Sequence, residues 1–172
     1  MDLNRRKFIK DASLVSAGVV AGISGVSAAS NAISAQSYRR IIGSNDRLNV
    51  GIVGFSSRAK GSLIPAFQQH SKQQNCQIVG VSDIWNRRRV EGKAFLEEKT
   101  GNSIETWRNN EEMYDKNQID AVIISTADFQ HALHTVEAAK AKKDVYVEKP
   151  FAETMEDARL GKKAANDAGI VL

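Results

Sequence analysis

Apolar residues in this chain fall into short runs separated by longer amphipathic stretches. Leu48 to Gly54 (Leu-Asn-Val-Gly-Ile-Val-Gly) is an apolar run closed by glycine, the pattern of a buried first strand. Leu63, Ile64 and Phe67 recur at helical spacing, and Pro65 near that helix start predicts an irregular first turn. Gln77 to Asp83 reads as a second strand. Arg87 to Lys99 reads as a helix with Val90, Ala94, Phe95 and Leu96 facing inward, stopped by Thr100-Gly101-Asn102. Ile104 to Trp107 is a short strand, Asn110 to Lys116 a short helix, and Ile119 to Ser125 the clearest central strand. Residues 129–141 follow as a helix whose buried stripe is Leu133, Val136 and Ala139 to Ala141. Asp144 to Val147 is another strand. Thr154 to Ala168 is a helix opened by a Thr154/Asp157 pattern resembling the capping box and closed by Gly169. Ile170-Val171-Leu172 reads as the beginning of one more strand.

Strands that alternate with helices need crossover connections, which make the sheet parallel and cover both of its faces. The handedness of those crossovers then gives an α/β fold with a doubly wound parallel sheet of the Rossmann type. The pattern begins at residue 48. Residues 36–47 are polar, contain Gly43-Ser44-Asn45-Asp46, and read as a linker.

Residues 1–35 follow a different logic. Asn4-Arg5-Arg6-Lys7-Phe8-Ile9-Lys10 sets a twin arginine before an apolar pair, which resembles the signal read by the bacterial twin-arginine (Tat) exporter. Ala12 to Val26 is small and mildly apolar, too short and too polar for a membrane span. Small residues follow, with cleavage expected after Ala28 or Ala35 and no stable span afterwards. A disordered basic tail is the alternative. The signal reading makes the product exported and periplasmic, and folded before export.

Charge changes the picture little. The 172 residues carry 24 Lys and Arg against 20 Asp and Glu, for +4. Residues 1–35 hold four basic and two acidic groups, so the remainder stands at +2. Neither value marks a nucleic-acid binder or a protein held to an anionic membrane. The lone Cys76 cannot form an internal disulfide.

In a doubly wound sheet, ligands bind beyond the carboxyl ends of the strands. Four such ends here are polar. Gly54-Phe55-Ser56-Ser57-Arg58-Ala59 occupies the slot of a G-x-G-x-x-G/A turn, with Ser56 where the second glycine allows close approach to a pyrophosphate. Backbone N–H groups of Ser56 to Arg58 would meet phosphates there, with Arg58 adding charge. An ordinary strand-to-helix turn fits the same residues. Asp83 closes the second strand, where a carboxylate accepts hydrogen bonds from adenosine ribose hydroxyls. Arg87, Arg88 and Arg89 could instead hold a 2′-phosphate, but Asp83 would repel one, which favours NAD over NADP.

Ser125-Thr126-Ala127-Asp128-Phe129-Gln130-His131 follows the central strand, with Thr126 or Asp128 able to cap the next helix. His131 and His134 are three apart, but no third ligand accompanies them and no metal site is expected. Glu148-Lys149-Pro150 ends the Val145-Tyr146-Val147 strand, where a placed ammonium or a plain surface turn are both consistent.

Taken in order, these strand ends resemble the Gfo/Idh/MocA family of NAD(P)-dependent sugar and polyol oxidoreductases, over residues 48–172. The Tat-type start resembles the exported bacterial members. Ser56 and Ala127 depart from the family's usual glycine and common proline. The resemblance implies an NAD-binding domain whose Lys149 lies beside the nicotinamide and the reacting hydroxyl, with Glu148 holding the nicotinamide ribose and the lysine. It places Phe129 and His131 against the nicotinamide half and Asp83, Ile84 and Trp85 against the adenosine half. It also implies a second, C-terminal domain carrying the sugar pocket, an acid/base histidine and most of a homo-oligomer interface. On that reading the chain stops inside a sixth strand and is inactive alone. The implied activity is oxidation of a sugar or polyol hydroxyl. The alternatives are an NAD-dependent glycosidase that uses a transient redox step, or a nucleotide-binding fragment without catalysis.

Overall fold

A computed structural model of the chain describes residues 47–116 and 118–172. The signal expected over 1–35, and the linker apart from Arg47, lie outside the described residues. Among the described residues there are five strands: β1 (Leu48–Val53), β2 (Cys76–Ser82), β3 (Glu105–Trp107), β4 (Ala121–Ile124) and β5 (Asp144–Val147). They form one sheet in the order β3-β2-β1-β4-β5, and every neighbouring pair is parallel. The chain thus winds outward from β1 in one direction, returns to its other side at β4, and winds outward again, as expected for a doubly wound sheet.

The helices that make the crossovers are α1 (Ile64–Ser71), α2 (Asn86–Thr100), α3 (Asn110–Tyr114) and α4 (His131–Lys140), and α5 (Met155–Ala168) follows β5. The irregular turn expected before α1 is a π-helical turn over Ala59–Leu63, with Pro65 in the first turn of α1. Two apolar clusters cover the two sheet faces. One gathers Ile52, Ile78 and Val81 with Phe55, Ile64 and Leu96. The other gathers Val53, Val122 and Ile124 with Met113, Tyr114 and Ala138. Each fully buried side chain of this kind contributes about 1.5–3 kcal/mol, so the central strands hold the scaffold.

Two helix faces differ from their sequence expectation. On α2, Val90 and Ala94 are exposed, Phe95 is half-buried, and the buried positions are Gly92 and Leu96. A Cβ at Gly92 would come within 2.9 Å of the Phe55 ring, so the missing side chain is what lets α2 lie against the turn after β1. On α4, Leu133 is exposed and Val136 half-buried, while Ala132, Thr135, Ala138 and Ala139 are buried together with His131 and His134. Small residues and hydrogen-bonded histidines let α4 approach the sheet closely, and the bulkier leucine faces away. The sixth strand is not formed over Ile170 to Leu172, although Val145 N–H donates to Val171 O (2.9 Å) and Val171 N–H to Asp144 Oδ1 (2.9 Å). Among the described residues, no helix is long and apolar enough to cross a membrane.

Candidate functional site

The strand order reverses between β1 and β4, so the loops leaving their carboxyl ends diverge and open a crevice. Each loop hangs on its neighbour through a hydrogen bond that continues the ladder past the strands. Gly54 N–H donates to Ser82 O (2.8 Å), Asp83 N–H to Trp107 O (3.1 Å), Ser125 N–H to Val53 O (2.8 Å) and Glu148 N–H to Ile124 O (3.0 Å). The four polar strand ends are therefore set at one edge of the sheet. Above them lies an open cleft of about 740 Å³.

The turn after β1 forms the cleft floor. Gly54 has φ of +84°, and a Cβ there would sit 2.6 Å from Thr126 Cγ2 and 3.0 Å from Ser125 O. Glycine is required by both the dihedral and the closeness of the β4 loop. Ser56, in the slot of the second glycine, shares a 2.6 Å hydrogen bond with the Ser125 hydroxyl, and its Oγ accepts from Ala59 N–H (3.1 Å). The hydroxyl thus ties the two sides of the crevice together and caps the turn that follows.

Asp83 holds the adjacent corner. One carboxylate oxygen accepts from Phe55 N–H (3.0 Å) and the other from Trp85 N–H (2.8 Å). Lone pairs remain for a ribose hydroxyl, because a carboxylate has about four acceptor positions. The three arginines divide. Arg89 is spent on the Asp83 and Ile84 carbonyls and on Asn86. Arg87 lies 5.6 Å from the Trp85 ring centroid. Arg88 lines the cleft while paired with Glu91 at 3.0 Å.

Of the sequence-singled residues, Gly54, Phe55, Ser56 and Ser57, then Asp83, Ile84, Trp85 and Arg88, then Ser125, Thr126 and Ala127 line this one cleft. Arg58, Asp128, Phe129, His131, Glu148 and Lys149 do not line it. Arg58 reaches across the sheet edge to buried Glu148, Nε to Oε1 at 3.2 Å, so the carboxylate expected to steady Lys149 is engaged by Arg58. Lys149 is exposed and, among the described residues, its ammonium has no hydrogen-bond or ion-pair partner. It is joined to Pro150 by a cis peptide bond. Phe129 is exposed.

His131, expected to border the nicotinamide, is instead buried at 1% exposure. Its Nδ1 lies 2.7 Å from Pro150 O and its Nε2 3.2 Å from Thr126 O. It joins the loops after β4 and β5 from beneath. His134 shares a 3.0 Å hydrogen bond with Thr126 Oγ1 and does line the cleft. Burial holds the His134 imidazole below its ordinary value; Glu137 opposes this, His131 adds to it, and Glu111 opposes it again.

The sequence reading missed the far wall. Arg108, Asn109, Asn110 and Glu111 after β3, Gln130 just before α4, and Leu133 and Glu137 on α4 complete the cleft. The α4 residues recur at helical spacing, a signal that an apolar-stripe reading assigns to the core. The post-β3 residues carry no motif, and the sheet order alone brings them here.

A parallel doubly wound sheet with a glycine-opened cleft at its reversal point defines a dinucleotide-binding domain, and the donors and acceptors present suit one. The family model "Oxidoreductase family, NAD-binding Rossmann fold" (Gfo/Idh/MocA) matches residues 48–172, and the chain belongs to that family. The chain is 45% identical to a 1,5-anhydro-D-fructose reductase of Ensifer adhaerens over 62 residues, 36% of this chain and 19% of the relative. It is 28% identical to a glycosyl hydrolase family 109 protein of Solibacter usitatus over 160 residues, 90% of this chain and 34% of that one. Among solved structures, the WlbA dehydrogenase from Bordetella pertussis, in complex with NADH and UDP-GlcNAcA, superposes with a TM-score of 0.63 at 26% identity. That match covers 72% of this chain and 34% of the other. The chain thus spans about a third or less of the length of these relatives.

Proposed function

We propose that this chain is the coenzyme-binding part of an oxidoreductase acting on a sugar or polyol hydroxyl. The observation that carries the reading is the convergence of the Gly54–Ser57, Asp83–Trp85 and Ser125–Ala127 segments on one cleft at the strand-order reversal. In it, the backbone of Ser56 to Arg58 faces the pyrophosphate and Asp83 accepts from the adenosine ribose. NAD is favoured over NADP, because the Asp83 carboxylate stands where a 2′-phosphate would bring like charge. The bound nicotinamide supplies a hydride acceptor at C4.

The chain's own contribution to chemistry is Lys149. Its unpartnered ammonium, at the end of β5, stabilises the negative charge that develops on the sugar oxygen as its proton leaves. Arg58 keeps Glu148 from neutralising that ammonium. The sugar pocket, the acid/base histidine and a homo-oligomer interface belong to a second domain in this reading. Export rests on Arg5-Arg6 and the small-residue stretch behind them, giving a periplasmic protein. A tightly held coenzyme that cycles within one turnover suits such a compartment.

Likeness to the family 109 protein over 90% of the chain favours a second reading, an NAD-dependent glycosidase. There the same sugar carbon is oxidised and later reduced, so no reduced coenzyme accumulates.

Titration of the whole chain with NADH, followed by nicotinamide fluorescence, tests the coenzyme reading. Saturable binding that Gly54→Ala weakens is expected, and no binding at millimolar NADH would refute it. In a protein that includes the second domain, net NADH formation from a polyol separates the dehydrogenase from the glycosidase. Fusing residues 1–35 to a reporter that requires folding before export tests the signal; retention in the cytoplasm would sink that part.

A further inference from the structure

Glu148 and Lys149 are neighbours of opposite charge at the end of β5, yet they do not pair. Adjacency does not forbid such a pair, because the consecutive Glu98 and Lys99 meet at 3.5 Å. The cause lies outside β5. The Glu148 backbone is fixed to β4 by its N–H on Ile124 O (3.0 Å), and its side chain is buried, the residue being 8% exposed. An ionised carboxylate so placed needs a cation, since water cannot solvate it. Arg58 is that cation, Nε to Oε1 at 3.2 Å, and among the described residues the carboxylate has no other hydrogen-bond or ion-pair partner.

Arg58 comes from the turn after β1, and β4 lies between β1 and β5 in the sheet. Its side chain therefore crosses above the end of β4 to reach Glu148, whereas Ser57 beside it lines the cleft. Lys149 is meanwhile held at its backbone and free at its tip. On one side Glu148 N–H is bound to Ile124 O, and on the other Pro150 O lies 2.7 Å from His131 Nδ1. The ammonium is exposed and unpartnered among the described residues. The adjacent carboxylate is the group that would compete for it, and Arg58 occupies that carboxylate.

We propose that Arg58 is a positioning residue for Lys149, holding Glu148 so that the neighbouring amine stays unpaired and available to a substrate. Without Arg58 the buried carboxylate draws in the adjacent ammonium, and Lys149 folds back against β5. The inference deepens the reading of Lys149 as the group that faces the sugar oxygen, and it rests on that reading for its bearing on chemistry. It moves control of that lysine from its own loop to the turn after β1.

The test reads the amine itself on the full chain, by acylation with an N-hydroxysuccinimide ester and site-resolved mass spectrometry. Acylation proceeds through the free amine, and a paired carboxylate favours the ammonium. In Arg58→Gln, Lys149 should react about tenfold more slowly than in the unaltered protein, with exposed Lys162 on α5 unchanged as internal reference. Adding Glu148→Gln to that variant should return Lys149 to within about twofold of its original rate, which a general disturbance of the turn would not do. Glu148→Gln alone should also stay within about twofold, because the carboxylate it removes was already occupied. That variant keeps the proposal open to refutation where Arg58→Gln does not fold. An unchanged Lys149 rate in Arg58→Gln, a slow rate persisting in the double variant, or a rate several-fold faster in Glu148→Gln would each overturn the positioning role. NADH titration of the unaltered sample separates the two failures: with binding present, those outcomes overturn the positioning role alone, and absence of binding overturns the coenzyme reading whatever the Lys149 rates.

Discussion

Three single residues set the geometry of the cleft, and each fails in its own way when changed. Gly54 combines a left-handed dihedral with contact against the β4 loop. Gly54→Ala should cost about 1–3 kcal/mol in urea unfolding, and NADH affinity should fall with it, since relief of the clash moves the loop. Asp83 is an acceptor for two N–H groups at once. Asp83→Asn turns an amide nitrogen toward one of those donors, so a loss of about 1–3 kcal/mol is expected from a change of almost no volume. The fold opposes the ionisation of His134, chiefly through burial. Its folded-state pKa lies below the ordinary 6.5, so the unfolded chain binds the proton more readily. The stability it contributes is complete above that value and is lost as pH falls from there through the lower folded value. Subtracting the stability–pH curve of His134→Gln from that of the unaltered protein should leave a component falling below about pH 6.5; a flat difference would contradict the assignment.

Elements behave as units where caps and faces decide them. Helix α5 begins at a true N-cap, in which Thr154 Oγ1 accepts from Asp157 N–H at 3.1 Å. The Thr154 hydroxyl in turn donates to the Asp157 carboxylate (2.7 Å), so the reciprocal contact is side chain to side chain rather than to the Thr154 backbone. Thr154→Ala should lower stability by about 1 kcal/mol, read as a shifted urea midpoint with unchanged slope. Helix α4 shows the limit of reading faces from hydropathy. Its exposed Leu133 lines the cleft, and its buried side carries His131 bridging the Thr126 and Pro150 carbonyls. A polar residue can outbid a leucine for the interior when two backbone acceptors wait there, and nothing local in the sequence announces them.

At the scale of the whole domain, coenzyme and scaffold share one edge, so binding should register as stability. NADH at about a hundred times its dissociation constant should add about 2.7 kcal/mol, seen as a raised thermal midpoint of the full chain. Lys149→Ala should leave both the midpoint and NADH binding nearly unchanged, because its ammonium has no protein partner among the described residues to lose. Loss of stability on that change would show that the lysine serves the fold and not the substrate.

Five strands and five helices could be read from the sequence to within a few residues, because burial on both faces makes parallel strands continuous apolar runs bounded by glycine and polar turns. The polar strand ends could be read too, since any doubly wound sheet presents them at its carboxyl edge. What the chain folded in space decided was company. The pairing of Arg58 with Glu148, the hydroxyl contact of Ser56 with Ser125, the hold of Asp83 on Phe55 N–H, and the hydrogen bonds from Ser82 to Asn110 and from Asn110 to Glu137 each join residues at least 27 positions apart. Their partners depend on strand order and loop closure, which are non-local, whereas hydropathy along a chain records only whether each position meets water.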